Sequence, residues 1–310
     1  MTTLDSQLYA DYAFSCVVDS PFKFQMQVQN LVTTLVGLAG VPGQNIIVHA
    51  VAGLDPELRI WLQRMGVVVE PIRPFSGHAY CNKLGQLIAL RAVDRPFVVL
   101  MDCDTAVTGP LRWPKPQRIS AKRVDTAAPP ESFLAGVFAA AQVGEPQWVD
   151  ADLLAGSESW RTDLNNCNGG VYVVERSFLA RLGPVWLRWA RWCLENQSLF
   201  GPSAIHIDQV SLALAARELG IEIEPLPRAF NMPTHLSLSP DFDVDAQVLH
   251  YHWQVDEQLL LRATGLPRVD AGINRINRSL LATRRESLLK AVFFGARYAL
   301  FPQLGSGVRS

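Results

Sequence analysis

The sequence predicts an α/β fold: a mostly parallel sheet with helices on both faces, followed by a helical tail at the C-terminus. Two observations predict the sheet. Over residues 1–110, short apolar runs alternate with segments of helical periodicity. The apolar runs are continuous, which is typical of parallel strands that are covered on both faces. The tail is predicted from apolar residues that recur at helical spacing after residue 284.

The first part of the chain supplies four strands and the helices that connect them. The strands are predicted at 12–18, 45–51, 67–71 and 97–101. The helices are predicted at 24–38, 56–65 and 80–92. Asp55 and Pro56 mark the start of the second helix, because aspartate accepts hydrogen bonds from free N–H groups there and proline has none to lose.

The later part of the chain is less regular. Six prolines interrupt the pattern between 109 and 163: Pro110, Pro114, Pro116, Pro129, Pro130 and Pro146. We expect one strand around 118–124 there, then a helix and a variable loop. Further on, we expect strands at 171–174 and 221–225, an extended segment at 247–253, and helices at 177–195 and 208–219.

The composition is that of a globular protein. The chain has 310 residues, of which 49% are hydrophobic, so it can bury a core without a disulfide or metal. The net charge of −1 disfavours a dedicated nucleic-acid binder. The five cysteines are odd in number and lack C-x-x-C spacing, so we expect no disulfide framework and a reducing, cytoplasmic location. We expect neither a signal peptide nor a membrane-spanning helix.

Positive charge is concentrated at the C-terminus. Residues 275–310 contain one acidic residue and seven basic ones, which are Arg275, Arg278, Arg284, Arg285, Lys290, Arg297 and Arg309. The segment RRESLLKAVFFGARYALF, residues 284–301, combines cations with apolar and aromatic residues at helical spacing. Such a helix suits the surface of an anionic membrane, and it also suits packing on the domain or on a second subunit.

The strongest chemical signal is a pair of carboxylates after the fourth strand. The apolar run FVVLM is followed by Asp102, Cys103 and Asp104. Ligands bind at the C-terminal ends of strands in open α/β sheets, and residues two apart in an extended chain face the same way. Two such oxygen ligands suit Mn²⁺ or Mg²⁺ together with diphosphate oxygens. The alternative is a pair of loop carboxylates without a ligand.

Seven short segments, in this order and spacing, resemble the GT-A fold glycosyltransferases, and within them the retaining family that includes glycogenin and bacterial galactosyltransferases. The segments are SCVVDS, YCNKLGQLIAL, VLMDCDTAV, NCNGGVYVV, DQVSLALA, FNMP and LHYHW. The resemblance spans about 12–253 and implies a Rossmann-like sheet, a nucleotide-diphosphate sugar donor and a divalent cation. It implies a GT-A domain at 1–274, with a nucleotide-binding half at 1–108 and an acceptor and sugar half at 109–274. The basic tail follows at 275–310.

The resemblance also implies roles for residues of the first half. Val18 and Asp19, at the end of the first strand, would contact the base or ribose, and Asn82 and Lys83 would contact the nucleotide. Cys103 would lie in the same donor site. Two of these residues have alternatives: Asp19 could be an ordinary turn residue, and Lys83 a solvated lysine at a helix end.

In the second half, the resemblance places the donor sugar near two segments. Asn168, Gly169 and Gly170 are expected to form a turn before an apolar strand, where glycine allows close approach and asparagine can hydrogen-bond sugar hydroxyls. Asp208 and Gln209 begin a helix near the transferred sugar. The alternatives are an ordinary strand-entry turn and a helix N-cap at Asp208.

Two histidines lie near the end of the resemblance. His250 and His252 share a face if their segment is extended. The resemblance assigns His250 as third metal ligand beside Asp102 and Asp104, and His252 is placed with the donor. Imidazole with two carboxylates favours Mn²⁺ over Mg²⁺. The family usually continues with glycine and Lys-Pro-Trp, whereas this chain reads Gln-Val-Asp after Trp253, so a lysine for the diphosphate is missing or supplied elsewhere.

The expected reaction is transfer of a hexose from a UDP-sugar, with retention, to an unidentified acceptor that is lipid-linked or a saccharide. Asp208, Asp163 and Asn168 are the candidate catalytic residues, although no base stands out. The tail suggests contact with the inner face of the membrane, and a homodimer is a further expectation.

Two other functions are compatible with parts of the pattern. Phosphohydrolases of the haloacid dehalogenase type also place D-x-D after a strand, but they want threonine or valine where Ala106 stands. A protein that binds a nucleotide sugar without turning it over is the second alternative. Intact D-x-D and H-x-H sequences argue against it.

Overall fold

The computed structural model describes residues 7–51, 53–153 and 160–293, with side chains up to residue 285. The strands are β1 (Tyr12–Val18), β2 (Ile46–Ala50), β3 (Val68–Pro71), β4 (Phe97–Met101), β5 (Thr105–Val107), β6 (Ile119–Arg123), β7 (Trp148–Asp150), β8 (Arg161–Asp163), β9 (Cys167–Glu175), β10 (Glu224–Pro225), β11 (Met232–Pro233) and β12 (Val248–His250). The helices are α1 (Phe22–Gly37), α2 (Pro56–Arg64), α3 (Gln86–Ala89), α4 (Glu131–Ala141), α5 (Arg176–Glu195), α6 (Ile207–Glu218) and α7 (Pro267–Phe293).

A seven-stranded sheet in the order β10-β6-β9-β4-β1-β2-β3 forms the centre of the molecule. Strands β1 to β4 run parallel, and β9 is antiparallel to both β4 and β6. Strand β10 pairs parallel with β6, so β9 is the one strand of this sheet that runs against the others. The predicted mostly parallel sheet is therefore confirmed.

Helices cover both faces of this sheet, as continuous apolar strands predict. Along β4, Val98 and Leu100 join the core beneath α5 and α6, whereas Val99 and Met101 join the core beneath α1. All four are at most 3% exposed. Side chains alternate between faces along a strand, so a strand that is apolar at every position needs a cover on each side.

The predicted helix at 80–92 is wrong in type. The segment is a 3₁₀ helix at Ala79–Gly85, then the four-residue α3, then a 3₁₀ turn at Leu90–Ala92. Cys81, Leu84, Leu87 and Leu90 are all buried in one core. Their spacing of three residues matches the three-residue repeat of a 3₁₀ helix better than 3.6 residues per turn.

A second, three-stranded sheet in the order β11-β12-β5 brings the C-terminal half to the end of β4. Strand β5 follows the D-x-D sequence directly and pairs antiparallel with β12, so that Thr105 lies opposite His250. Helix α7 packs against β12: Val269, Ile273 and Ile276 share one buried cluster with Leu249.

The predicted helical tail begins earlier than expected. Helix α7 runs from Pro267 to Phe293 and so crosses the predicted boundary at 274/275, and Ile276 and Leu280 on its tail side are buried. The predicted cationic and apolar pattern lies mostly beyond residue 285, outside the described side chains. Among the described residues, no helix combines the length and apolar character needed to cross a bilayer. The division into domains stays a prediction.

One buried histidine predicts a pH dependence of stability. The side chain of His49 in β2 is fully buried, and neither ring nitrogen has a hydrogen-bond partner within the described part of the chain. Burial lowers the pKa of His49 to about 4. The unfolded chain, with a pKa near 6.5, takes up a proton that the folded chain excludes. The stability that neutral His49 contributes is therefore full above pH 6.5 and lost as pH falls towards 4, by about 3 kcal/mol.

The comparison is between wild type and His49→Leu in urea unfolding at pH 7.5 and pH 4.5. Wild type is expected to lose more unfolding free energy than the variant between the two conditions, by about 2 kcal/mol. Equal losses in both proteins would exclude His49 as the source of the pH dependence.

Candidate active site

The C-terminal ends of β1 and β4 open into a cleft of about 550 Å³. The chemically active side chains of its lining come from both halves of the chain. They are Asp19, Lys83, Asp102, Cys103, Asp104, Asn168, His206, Asp208, Gln209, His250 and His252. Gly169 also lines the cleft. Most residues predicted from the sequence are thus brought to one place.

Lys83 forms a three-membered ion cluster with two aspartates. Its Nζ lies 2.8 and 2.9 Å from the two oxygens of Asp102 and 2.8 Å from Oδ2 of Asp208. The Lys83 side chain is only 20% exposed. The alternative that Lys83 is a solvated lysine is therefore wrong, because the 3₁₀ helix turns it inward. The N-cap alternative for Asp208 is also wrong, since α6 begins at Ile207 and His206 holds the N-cap position.

Lys83 and the two aspartates each stabilise the charged form of the other. Burial lowers the pKa of Lys83, but Asp102 and Asp208 raise it well above its ordinary value, so the ammonium persists. Burial raises the pKa of Asp102, and the Lys83 ammonium offsets part of that increase. The cluster places a permanent positive charge between two acidic groups at the floor of the cleft.

Removing that positive charge is expected to destabilise the fold in a pH-dependent way. In Lys83→Met, two acidic groups lose their partner, which costs about 2–3 kcal/mol of unfolding free energy at pH 7.5. Without Lys83 the pKa of Asp102 rises further above its unfolded value, so the cost applies above that pKa and shrinks as pH falls. Urea unfolding at pH 7.5 and pH 5 tests this, and Lys83→Arg, which keeps the charge, is the control. A loss that does not change with pH would contradict the electrostatic explanation.

Asp104 faces two imidazoles instead of an ammonium. Its Oδ1 lies 3.4 Å from Nε2 of His250, and its Oδ2 lies 3.8 Å from Nδ1 of His252. One ligand atom from each of these three residues lies within 4.8 Å of the others. Carboxylate and imidazole at this spacing fit a divalent transition-metal ion. The predicted ligand set of Asp102, Asp104 and His250 is therefore brought together only in part, because Lys83 occupies both oxygens of Asp102.

The segment with the two histidines is not extended as predicted. β12 ends at His250, and His252 has a φ of 52°, in the left-handed region. The ring of His252 nevertheless lies against that of His250, with 4.0 Å between centroids. Burial, together with the neighbouring His250, lowers the pKa of His252 to about 3. His252 is thus a neutral imidazole near neutral pH.

Asn168 connects the cleft to a buried network that the sequence did not reveal. Its Oδ1 accepts hydrogen bonds from the backbone N of Gly170 at 2.9 Å and from Nδ2 of Asn231 at 3.1 Å. Nδ1 of His250 lies 3.1 Å from the same oxygen, and Nδ2 of Asn168 donates to Asp125 at 3.0 Å. Because a carbonyl oxygen only accepts, Nδ1 of His250 carries a proton. Burial lowers the pKa of His250, but Asp104 raises it above its ordinary value, so Nε2 faces the Asp104 carboxylate as a hydrogen-bond donor in the protonated ring.

The glycines beside Asn168 are required by close packing. The predicted turn at these residues is wrong: they lie inside β9, which starts at Cys167. A Cβ on Gly169 would lie 2.5 Å from Nζ of Lys83. A Cβ on Gly170 would lie 2.5 Å from Nδ1 of His250 and 2.6 Å from Oδ1 of Asn231. β9 can therefore pass between Lys83 and His250 only because residues 169 and 170 have no side chains.

The remaining predicted residues divide into two groups. Asp19 lines the cleft and accepts a hydrogen bond at 3.0 Å from Nδ2 of Asn82, which is itself buried behind it. Val18 is fully buried in the core. Asp163 is not brought to the cleft: its oxygens accept backbone hydrogen bonds from Gln147 and from Asn165, at 2.8 and 2.9 Å.

His206, which lines the cleft, and Asn231 and Asp125, which contact Asn168, are site residues that the sequence did not predict. Asn231 stands in the segment FNMP, which carried part of the resemblance without a role, so a signal for it existed. Asp125 follows the strand predicted around 118–124, so it too stood at a strand end, but its contact with Asn168 arises only through tertiary folding.

No family model and no curated protein matches this chain in sequence. Solved structures do match it. A structure of an active-site mutant of LgtC is 13% identical over 84% of this chain and 95% of that chain, with a TM-score of 0.51. The galactosyltransferase LgtC in complex with donor and acceptor sugar analogs has the same identity and coverage, with a TM-score of 0.48.

A third similar structure is the bifunctional glycosyltransferase WbbM. It is 11% identical over 86% of this chain, with a TM-score of 0.49. This chain spans 50% of the length of that chain. The likeness to LgtC establishes a shared fold, and the GT-A fold predicted from the sequence is confirmed.

Proposed function

We propose that the protein is a metal-dependent glycosyltransferase that moves a hexose from a UDP-sugar to a hydroxyl acceptor with retention. The observation that carries the proposal is the arrangement in the cleft. A carboxylate with facing imidazoles, a buried ammonium and a second carboxylate converge at the C-terminal ends of β1 and β4. That end of an open α/β sheet is where ligands bind.

The cleft offers each part of a nucleotide-sugar donor a matching group. Asp19, at the end of β1, would accept hydrogen bonds from the ribose or base. Lys83 would face the diphosphate and supply the positive charge that the sequence lacks after Trp253. Asn168 and Gln209 would contact sugar hydroxyls.

A divalent cation fits the donor set at Asp104. Asp104 and His250 would hold it: Nδ1 of His250 donates to Asn168, so Nε2, which faces Asp104, is the nitrogen that would bind the cation. When bound, the cation would neutralise charge that develops on the departing diphosphate. Mn²⁺ suits a site of carboxylate and imidazole ligands better than Mg²⁺ does.

In the transfer step, the bond between the anomeric carbon and the diphosphate oxygen breaks and its electron pair stays with the diphosphate. Lys83 stabilises that charge. Asp208, 2.8 Å from Lys83, faces the cationic character that develops on the sugar. The acceptor oxygen bonds to the same face of the carbon, and its proton passes to the departing phosphate oxygen. Retention follows from attack on the face that the leaving group vacates.

A panel of UDP-, GDP- and ADP-sugars tests the proposal. We expect one class of sugar nucleotide to raise the Tm of the EDTA-treated protein only after Mn²⁺ is added, because the diphosphate is held through the cation. Slow release of free sugar from that donor is expected without an acceptor. Release of phosphate from simple monoesters would favour a phosphohydrolase instead. Donor binding without any hydrolysis or transfer would favour a binding protein.

A further inference from the structure

The two carboxylates of the D-x-D sequence have different partners. Lys83 Nζ lies within 2.9 Å of both oxygens of Asp102. A divalent cation on those two oxygens would lie only a few ångströms from the ammonium, and repulsion between like charges opposes that position. Asp104 has imidazoles at 3.4 and 3.8 Å instead.

These distances are those of ligands that share one ion. Two ligand atoms at about 2.1 Å from a metal lie roughly 3 Å apart when adjacent and about 4.2 Å apart when opposite. The separation of His250 from Oδ1 of Asp104 and that of His252 from Oδ2 fall between these limits. One ligand atom from each of the three residues lies within 4.8 Å of the others, so a small side-chain shift would bring all three onto one ion. His252 is therefore placed as a ligand, although the resemblance gives it no such role.

The backbone of His252 supports this reading. A residue other than glycine with a φ of 52° costs about 1 kcal/mol, and such strain persists where the surroundings enforce it. Nε2 of Gln27 donates to the carbonyl of His252 at 2.6 Å. The backbone N of Tyr251 donates to the carbonyl of Asp104 at 3.0 Å. The two hydrogen bonds hold the backbone of Tyr251 and His252 in place.

The ring itself has neighbours but little hydrogen bonding. It lies between the rings of His250 and His235, with centroids at 4.0 and 3.9 Å. Its Nε2 is buried without a hydrogen-bond partner among the described residues. Its Nδ1, which faces Asp104 at 3.8 Å, is the nitrogen placed to bind a cation.

We propose that the cation is held by Asp104, His250 and His252, and that Asp102 serves as the partner of Lys83. This inference rests on the proposed function for its biological purpose. Two imidazoles and one carboxylate leave about three positions open for diphosphate oxygens and water. Such a set selects borderline cations such as Mn²⁺, Fe²⁺ and Co²⁺ over Mg²⁺, which prefers oxygen ligands alone.

The test titrates Mn²⁺ alone into the full chain, by calorimetry and by electron paramagnetic resonance, without nucleotide. His252→Gly removes the ring and relieves the backbone strain, since glycine adopts this φ freely. We expect its Mn²⁺ affinity to fall at least tenfold while its Tm without metal is unchanged or higher. We also expect wild type to bind Co²⁺ at least tenfold more tightly than Mg²⁺, and the variant to lose most of that preference.

The matched control is the double variant Lys83→Met/Asp102→Asn. It removes one ammonium and one carboxylate together, so the net charge near the cation does not change. We expect its Mn²⁺ affinity to stay within about threefold of wild type. His235→Gln, which alters the neighbouring ring, is expected to do the same. Unchanged affinity in His252→Gly would overturn the proposal, and so would loss of affinity in the double variant that exceeds the loss in His252→Gly.

Failure of this inference is separable from failure of the proposed function. If Mn²⁺ binds through His252 but no sugar nucleotide binds to the loaded protein, the glycosyltransferase proposal is wrong and the ligand set stands. If a UDP-sugar binds with Mn²⁺ equally well to wild type and His252→Gly, the ligand set is wrong and the donor site stands.

Discussion

Asp104→Asn is expected to abolish Mn²⁺-dependent donor binding and to lower sugar transfer about a thousandfold. Asp104 is the carboxylate that faces both histidines, at 3.4 and 3.8 Å. The amide keeps the shape of the side chain but loses its charge, and a neutral oxygen is a poor ligand for a divalent cation. Burial raises the pKa of Asp104, but His250, His252 and Lys83 together lower it below its ordinary value, so the native group is an ionised carboxylate near neutral pH.

The measurement is calorimetric titration of UDP-sugar with and without Mn²⁺, together with initial rates of transfer. Asp11→Asn is the matched control, because it removes the same charge from the opposite end of β1, where Asp11 makes an exposed ion pair with Lys115. We expect the control to bind the donor like wild type, since exposed pairs contribute at most about 1 kcal/mol. A variant at Asp104 that keeps normal donor affinity with Mn²⁺ would refute the metal-dependent mechanism.

Gly170→Ala is expected to disrupt the proposed metal site by displacing His250. The added Cβ would lie 2.5 Å from Nδ1 and 2.9 Å from Cε1 of His250, and 2.6 Å from Oδ1 of Asn231. The side chain of His250 is only 5% exposed, so it has little room to retreat. We expect a loss of about 2 kcal/mol of unfolding free energy from overpacking and a fall in Mn²⁺ affinity of about a hundredfold.

Gly136→Ala is the control for this substitution. Gly136 lies in α4, and an added Cβ there meets nothing within 4 Å. We expect that variant to be slightly more stable than wild type, because alanine favours helix over glycine. Circular dichroism establishes that each variant is folded, and calorimetry gives the Mn²⁺ affinity. Normal Mn²⁺ binding by Gly170→Ala would mean that His250 can move without loss and does not hold the cation.

The local sequence predicted the sheet because the signal is carried by neighbouring residues. FVVLM is apolar at every position, and that pattern alone requires cover on both faces. It also placed Asp102 and Asp104 at a strand end, where an open sheet binds ligands. The helix at 80–92 was mistaken because a three-residue spacing of buried positions reads as helical periodicity in a short window.

The partners of the polar groups were not predictable in the same way. The contacts of Lys83 with Asp102 and Asp208 depend on a 3₁₀ helix, on Gly169 in β9 and on the start of α6, which are distant in the chain. His252 reaches Asp104 through a left-handed residue, which no pattern of alternation anticipates.

The sequence by itself determined the layered α/β architecture and the strand end that carries the chemistry, since hydrophobic periodicity is a local property that each segment expresses independently. Only the tertiary structure decided which charged side chains lie next to each other. Electrostatic and hydrogen-bond partners depend on distances of a few ångströms between segments up to 225 residues apart, as between Gln27 and His252. Those distances are set by how the helices and strands pack, and not by any one of them.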